Sequence, residues 1–252
     1  MDRTLRDKVT LVTGCGPGIG RATATAFARD GADVVIAARR REPLEEMAKA
    51  LAAETGRRVL AMPCDISDPK AIERLVAGTV AELGRLDVVV NVATAGFERL
   101  RIVDMDFSGY ARSVQLNVIG TMKVCAEAAK QMAGQGGGSI INIGSLASTA
   151  LSPKNGEYAS TKLAMVGLSK TLAREMGRDG VRVNVVTPGF TTGEPLDRLF
   201  QQMGASSGIS GTEMSKRVAA TAELKRHVDP EDIAEACLYL GSDRGRNVTG
   251  IE

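Results

Sequence analysis

Six short runs of β-branched and other apolar residues alternate with segments of helical period along the whole chain, and this alternation limits the possible folds more than any other feature. The runs at 9–13, 34–37, 59–62, 86–90, 139–143 and 181–186 read as strands. Several are almost continuously apolar, as strands covered on both faces must be. Segments 18–29, 42–54, 69–83, 118–133 and 158–177 carry the helical repeat between them. Such an order builds βαβ units with right-handed crossovers and an open, doubly wound parallel sheet. The expectation is one α/β domain of Rossmann type over residues 1–252, with helices on both faces. The glycines from 134 to 138 read as a helix-to-strand turn. The stretch from 191 to about 212, containing Gly204, Gly208 and Gly211, reads as irregular. It follows the sixth strand on the carboxyl edge of the sheet, so a substrate lid at about 190–220 is expected there, or else a plain surface loop.

Composition excludes several functions. Thirty-two basic against 30 acidic side chains give a net charge of +2, which offers no electrostatic reason to bind nucleic acid. The chain has no Trp, three Tyr and five Phe, too few for base-stacking platforms. The N-terminus is charged and runs straight into an apolar strand, without a signal-peptide profile, and no apolar stretch reaches spanning length. Cys15, Cys64, Cys125 and Cys237 are scattered and form no CxxC pair, so neither a disulfide framework nor a metal site is expected, and a cytoplasmic location is. A Ser-His-Asp triad would have to use His227, the one histidine, and no Gly-x-Ser-x-Gly elbow surrounds any candidate serine.

Directly after the first strand comes Thr13-Gly14-Cys15-Gly16-Pro17-Gly18-Ile19-Gly20, followed by a helix. Glycines there allow a tight turn and close approach to a pyrophosphate, while the helix start offers free N–H groups and the positive end of its dipole. No Lys-Ser/Thr follows, which excludes a triphosphate P-loop. The spacing resembles the TGxxxGxG turn of the short-chain dehydrogenase/reductase family. At the end of the second strand an acidic residue would select NAD(H) and a basic one NADP(H). Asp33 lies at the wrong end of that run, which instead finishes in Ala38-Arg39-Arg40-Arg41. Arg39 and Arg40 are therefore candidates for a 2′-phosphate, and NADP(H) is favoured over NAD(H); a solvated basic helix start is the alternative. Asp65 and Ile66 follow the third strand. By resemblance Asp65 would bind the adenine amino group, although a helix cap would equally place an aspartate there.

Tyr158-Ala159-Ser160-Thr161-Lys162 sets a phenol and an ammonium four residues apart on one helix face. Hydride addition to a carbonyl leaves an alkoxide that needs a proton, and a tyrosine whose pKa a neighbouring lysine lowers can provide it. Ser145 ends the fifth strand thirteen residues earlier, and its hydroxyl could bond the substrate carbonyl. Asn117 completes the set found in the family. The resemblance implies that Tyr158 is the general acid/base, Ser145 polarises the substrate, Lys162 holds the nicotinamide ribose, and Asn117 organises a water between Lys162 and solvent. It also implies cofactor contacts from Asn91, Ala93, Pro188, Gly189 and Thr191. Hydride transfer between NADP(H) and a carbonyl or secondary alcohol follows as the expected activity. A ketoreductase-like role on an uncharged, apolar substrate suits the candidate pocket residues Phe97, Leu146, Ala147, Leu151, Phe190 and Met203. A catalytically silent NAD(P)-binding sensor of the same fold is the alternative. Family habit adds a homotetramer or homodimer.

Three departures stand out. The family's Asn-Asn-Ala-Gly is Asn91-Val92-Ala93-Thr94 here, and Thr94 adds a side chain where glycine admits the cofactor. The position five beyond Pro188, often threonine in the family, is Gly193, so Thr191 or Thr192 would have to substitute. A seventh strand and a glycine-containing tail would be expected beyond Gly250-Ile251-Glu252.

Overall fold

In the computed structural model of the protein, which describes residues 4–252, every one of the six apolar runs is a strand. They are β1 (Val9–Thr13), β2 (Asp33–Ala37), β3 (Val59–Ala61), β4 (Val88–Asn91), β5 (Gly138–Ile143) and β6 (Val181–Val186). All pair in parallel, in the order β3-β2-β1-β4-β5-β6. The chain thus winds outward in one direction from β1 and in the other from β4. Thr13 lies opposite Asn91, so the carboxyl ends of these two central strands are level. The loops leaving them diverge, and a crevice opens where the strand order reverses.

The helices are α1 (Ile19–Arg29), α2 (Arg41–Thr55), α3 (Pro69–Leu83), α4 (Ser108–Val114), α5 (Thr121–Gly134), α6 (Gly156–Met176), α7 (Glu194–Ser206), α8 (Gly211–Ala219) and α9 (Pro230–Gly241). Alternate strand residues feed two separate cores, as the period of two along a strand dictates. On one face Val12, Val34, Ile36 and Val90 meet Phe27 of α1, Leu44 and Leu51 of α2, and Cys237 of α9. On the other, Leu11, Val35, Val89 and Ile140 meet Ile72 and Val76 of α3 and Val124 and Met132 of α5. Each such side chain contributes about 1.5–3 kcal/mol on burial, which makes these layers a rigid platform for the loops at the crevice. Among the described residues no helix is long and apolar enough to cross a membrane.

Three local expectations are corrected. The stretch from 191 to 212 is not irregular: it holds α7 and the start of α8. Pro195 sits in the first turn of α7, and Leu196, Phe200 and Gly204, spaced by four, give it a buried stripe. The helix expected at 118–133 is preceded by α4 and a π-helical turn, Gln115–Gly120, whose wider winding interrupts the 3.6-residue repeat. Asp65 caps no helix, because Asp68 caps α3 by accepting the Lys70 N–H at 2.9 Å. At the other end of the chain, the residues before the expected seventh strand already run along β6, with Gly250 N–H donating to Val183 O at 2.8 Å and Val185 N–H to Ile251 O at 3.0 Å. Asp33, by contrast, is where the sequence put it, at the start of β2 and paired with Arg57 at 2.7 Å.

Candidate active site

The glycine turn joins β1 to α1 at the crevice. Gly14 has φ +69, and a Cβ there would lie 2.2 Å from the backbone nitrogen of Ala93, so it is the point where the loops after β1 and β4 press together. Gly16 and Gly18 differ: a Cβ on either would meet nothing within 4 Å. Gly18 precedes α1 with φ 88, no side chain caps that helix, and its first turn contains no acidic residue. Uncapped N–H groups behind two side-chain-free positions fit an anionic pyrophosphate. Gly20 is tight against Cys15 Cα at 2.8 Å and fixes the helix to the turn. Substitution should separate these roles. Gly16→Ala is expected to fold with stability within about 0.5 kcal/mol of the parent yet bind NADPH about tenfold or more weakly, because its methyl enters the pyrophosphate's space. Gly14→Ala is expected to lower the melting temperature outright. Thermal melts and nicotinamide-fluorescence titration check both.

The basic run at the end of β2 divides. Arg41 is paired with Glu45 at 3.2 Å, whereas Arg39 and Arg40 are exposed and make no ion pair among the described residues. Asp65 accepts the Ser67 N–H at 2.9 Å and the Ser67 hydroxyl at 2.7 Å through one oxygen. Those two bonds hold its carboxyl below the usual range, and Arg39 adds a smaller pull in the same direction. Arg39 and Asp65 therefore share one side of the crevice. Ile66 is buried, and its carbonyl oxygen would lie 2.2 Å from a Cβ at Gly120, which packs the turn after β3 against the π-helical segment.

On the other side of the crevice α6 carries Tyr158 and Lys162, and Ser145 follows β5. The Tyr158 phenol faces the hydroxyls of Ser145 and Thr94. Its ring stacks on Phe97 at 4.7 Å between centroids and 10° between planes. Burial pushes the phenol above its ordinary value, and the neighbouring Ser145 and Thr94 hydroxyls oppose that rise. This corrects the expectation of a lowered phenol pKa: enclosure beneath Phe97 disfavours the charged phenolate. The Lys162 ammonium lies 5.7 Å from the Tyr158 ring centroid and donates to Ile143 O at 2.7 Å. Desolvation brings its own pKa down to about 8.

Asn117 is buried in the π-helical turn, and its side chain bonds protein groups at both ends. Its Nδ2 donates to Thr161 Oγ1 at 3.1 Å, and its Oδ1 accepts from Ala95 N–H at 2.7 Å and from Thr94 Oγ1 at 3.3 Å. The side chain thus ties the loop after β4 to α6. Asn91 is likewise internal. It accepts from Thr13 Oγ1 at 2.9 Å and donates to Asn142 Oδ1 at 2.8 Å, and Asn142 donates on to Ser169 Oγ at 2.8 Å. This buried chain ties the carboxyl ends of β1, β4 and β5 to α6, so a cofactor contact from Asn91 falls to its backbone. Pro188 O accepts from Leu146 N–H at 2.9 Å, which brings Gly189 beside the segment after Ser145. Thr191 Oγ1 donates only to Gly189 O, at 3.3 Å, and its backbone bridges to Val228. Thr192 Oγ1 bonds Asp229 at 2.7 Å. Sequence reasoning missed Thr161 and the Ile143 carbonyl as the groups that orient Asn117 and Lys162, since neither has a spacing signature. It also missed the place of His227, which packs on Phe200 of α7 at 5.1 Å and bonds Ser215 of α8 at 2.9 Å. The ring there joins α8 to the aromatic cluster of Phe190 and Phe200.

A doubly wound sheet with a pyrophosphate-shaped turn at its switch point, facing a Ser-Tyr-Lys cluster, defines a nicotinamide-dependent oxidoreductase class. A family model described as enoyl-(acyl carrier protein) reductase matches residues 14–252. A short-chain dehydrogenase/reductase of Aspergillus oryzae, named astE, is 34% identical, covering 98% of this chain and 92% of its own. L-sorbose reductase from Gluconobacter frateurii, solved with NADPH and L-sorbose, superposes with a TM-score of 0.93 at 29% identity, covering 100% of this chain and 95% of that one. NAD+-bound xylitol dehydrogenase gives 0.92 at 26% identity, covering 98% and 96%. The chain belongs to the short-chain dehydrogenase/reductase family.

Proposed function

We propose that the protein interconverts a carbonyl and a secondary alcohol with NADP(H), Tyr158 serving as general acid/base. The observation that carries this reading is the convergence of Ser145, Tyr158 and Lys162 on the crevice that the glycine turn also faces. When bound, the nicotinamide supplies or takes up the hydride. Ser145 donates to the substrate carbonyl oxygen, and Tyr158 delivers its phenolic proton to that oxygen as the alcohol forms. The phenolate left behind is reprotonated from solvent, and the reverse direction runs the same proton transfers backward. Lys162, fixed by Ile143 O, places a donor beside the phenol and toward a cofactor ribose.

The preference for NADP(H) rests on Arg39 and Arg40, unpaired beside Asp65 at the end of β2. The substrate we infer is apolar and uncharged, because Leu146, Leu151 and Phe190 remain exposed at the crevice rim and Phe97 stacks on Tyr158. Helices α7 and α8, joined through the Phe190, Phe200 and His227 rings, would act as its lid. Titration with NADPH and NADH, followed by nicotinamide fluorescence, tests the reading. Tight NADPH and weak NADH binding is expected, and Arg39→Ala should weaken NADPH about 10- to 100-fold, the range of a charged hydrogen bond, while leaving NADH unchanged. Equal binding of both cofactors would reduce Arg39 to a solvated charge. Binding without turnover across a panel of apolar ketones and alcohols would favour a cofactor-binding sensor.

A further inference from the structure

Building on the acid/base reading of Tyr158, we propose that Phe97 is a positioning residue for it: its ring closes one face of the phenol to water and holds the phenol in the orientation from which its proton is passed. The two rings lie 10° from parallel with centroids 4.7 Å apart, an offset stack in which each fixes the plane of the other. Phe97 belongs to a stretch without helix or strand, between β4 and the 3₁₀ turn at Ile102–Asp104, so no backbone ladder places it. A side-chain mount does so instead. Ala95 N–H donates to Asn117 Oδ1 at 2.7 Å, and Asn117 Nδ2 donates to Thr161 Oγ1 at 3.1 Å. Thr161 Oγ1 in turn donates to the backbone carbonyl of Tyr158 at 2.8 Å. The loop is thereby tied, two residues before the Phe97 ring, to the same turn of α6 that carries the phenol.

A stack of this kind favours one phenol rotamer by about two- to tenfold. It also works against the one charge that the structure sets beside the ring. On α6 the Lys162 ammonium stands 5.7 Å from the Tyr158 ring centroid, while Glu157 turns its carboxylate to Ser113 of α4 at 2.6 Å. On the loop, Glu98 and Arg99 follow Phe97 and are exposed, and residues 144–150 after β5 include no charged side chain. Lys162 favours the phenolate, and the Phe97 ring opposes it by keeping solvent from one face. Taking the ring away therefore lets the phenol turn and lets it ionise at lower pH.

The first arm of the test needs no substrate. The chain has three tyrosines, Tyr110, Tyr158 and Tyr239, and near-ultraviolet phenolate absorbance followed against pH, with the trace of the matching Tyr158→Phe protein subtracted, isolates Tyr158. Phe97→Ala is expected to lower the titration midpoint by about one pH unit, as water reaches the uncovered face. Phe97→Trp keeps an aromatic face, adds no titrating group and should follow the parent. Phe97→Leu replaces the alanine variant should that one fold poorly, with a smaller shift of the same sign. Thermal melts and NADPH titration of each variant should match the parent, because Phe97 is a half-buried loop residue outside both cores. In the second arm, with NADPH and a ketone that the parent reduces, kcat should fall about two- to tenfold in Phe97→Ala, the rotamer preference lost, with KM within about twofold. Parent-like titration of the alanine variant, an unchanged kcat, or a tryptophan variant that behaves as the alanine one overturns the proposal. Failure of the parent to bind NADPH would instead overturn the enzyme reading, and the phenol titration would still report on Phe97.

Discussion

Tyr158→Phe is expected to cut turnover by about 10²- to 10⁴-fold, the range that one positioned acid/base contributes, while NADPH affinity and melting temperature stay near the parent values. The substitution removes one oxygen and leaves the ring, so the 4.7 Å stack on Phe97 and the 5.7 Å approach of the Lys162 ammonium survive. The neighbouring hydroxyls of Ser145 and Thr94 keep their own bonds to Ala147 and Asn117, so the loss of the phenol oxygen costs the fold about 1 kcal/mol or less. The pH dependence of the parent enzyme carries a second check. Burial holds the Tyr158 phenol above its ordinary value, so the protonated form that reduction needs persists through neutral into alkaline pH. Alcohol oxidation needs the phenolate and should therefore rise with pH over the range in which reduction is still flat. Rates in both directions, measured across pH with NADPH and NADP+, separate the two. A Tyr158→Phe variant that keeps most of the parent's turnover would remove the phenol from the mechanism.

How much of this could be read from the sequence depended on distance along the chain. The strands were legible because a strand buried on both faces has to be mostly apolar or β-branched, and all five residues of β1, three of them apolar and two threonines, are buried. Tyr158, Lys162 and Ser145 were legible because a helical spacing and a strand end place them. What was lost is what only the closed sheet creates. Asn91 meets Asn142 across two strands, 51 residues away, so a residue that resembles a cofactor ligand turned out to spend its side chain on a buried network. Asn117 bonds Ala95 and Thr161, partners 22 and 44 residues away, because the π-helical turn directs it toward the loop after β4. Helix α7 was hidden by Gly204, by the glycines that follow it and by its polar face; its buried stripe of Leu196, Phe200 and Gly204 becomes visible only when Phe190 and His227 pack against Phe200. The lowered phenol pKa was the wrong inference for a related reason. Proximity to a lysine can be read from spacing, but the enclosing ring of Phe97 cannot, and burial is the larger effect on Tyr158.

Lys162→Met is expected to abolish most turnover and yet stabilise the fold. Lys162 is 5% exposed, and the structure gives it one hydrogen bond, to Ile143 O, with no carboxylate partner among the described residues. Desolvation lowers its pKa from 10.5 to about 8, which corresponds to about 3 kcal/mol held against the charged form. Because the folded value lies below the unfolded one, the folded state binds fewer protons between about pH 8 and 10.5, and stability rises with pH across that window. Below pH 8 the lysine is charged in both states and the full penalty applies. Methionine fills a similar volume without charge, and the Ile143 carbonyl it leaves unpaired offsets about 1 kcal/mol of the gain. A net stabilisation of about 2 kcal/mol near neutral pH follows, seen as a rise in melting temperature of about 4–8 °C for a chain of this size. The advantage should shrink toward zero as pH rises past 10.5, above which the parent lysine is neutral folded or unfolded. Melting curves of parent and variant at neutral and alkaline pH, beside turnover at neutral pH, measure all of this. A destabilised variant at neutral pH would mean that the ammonium is compensated in place, and Lys162 would then hold the site together as well as serve it. Stabilisation with loss of turnover would show that a charge costly to the fold is kept at this position for its effect on the phenol and the cofactor.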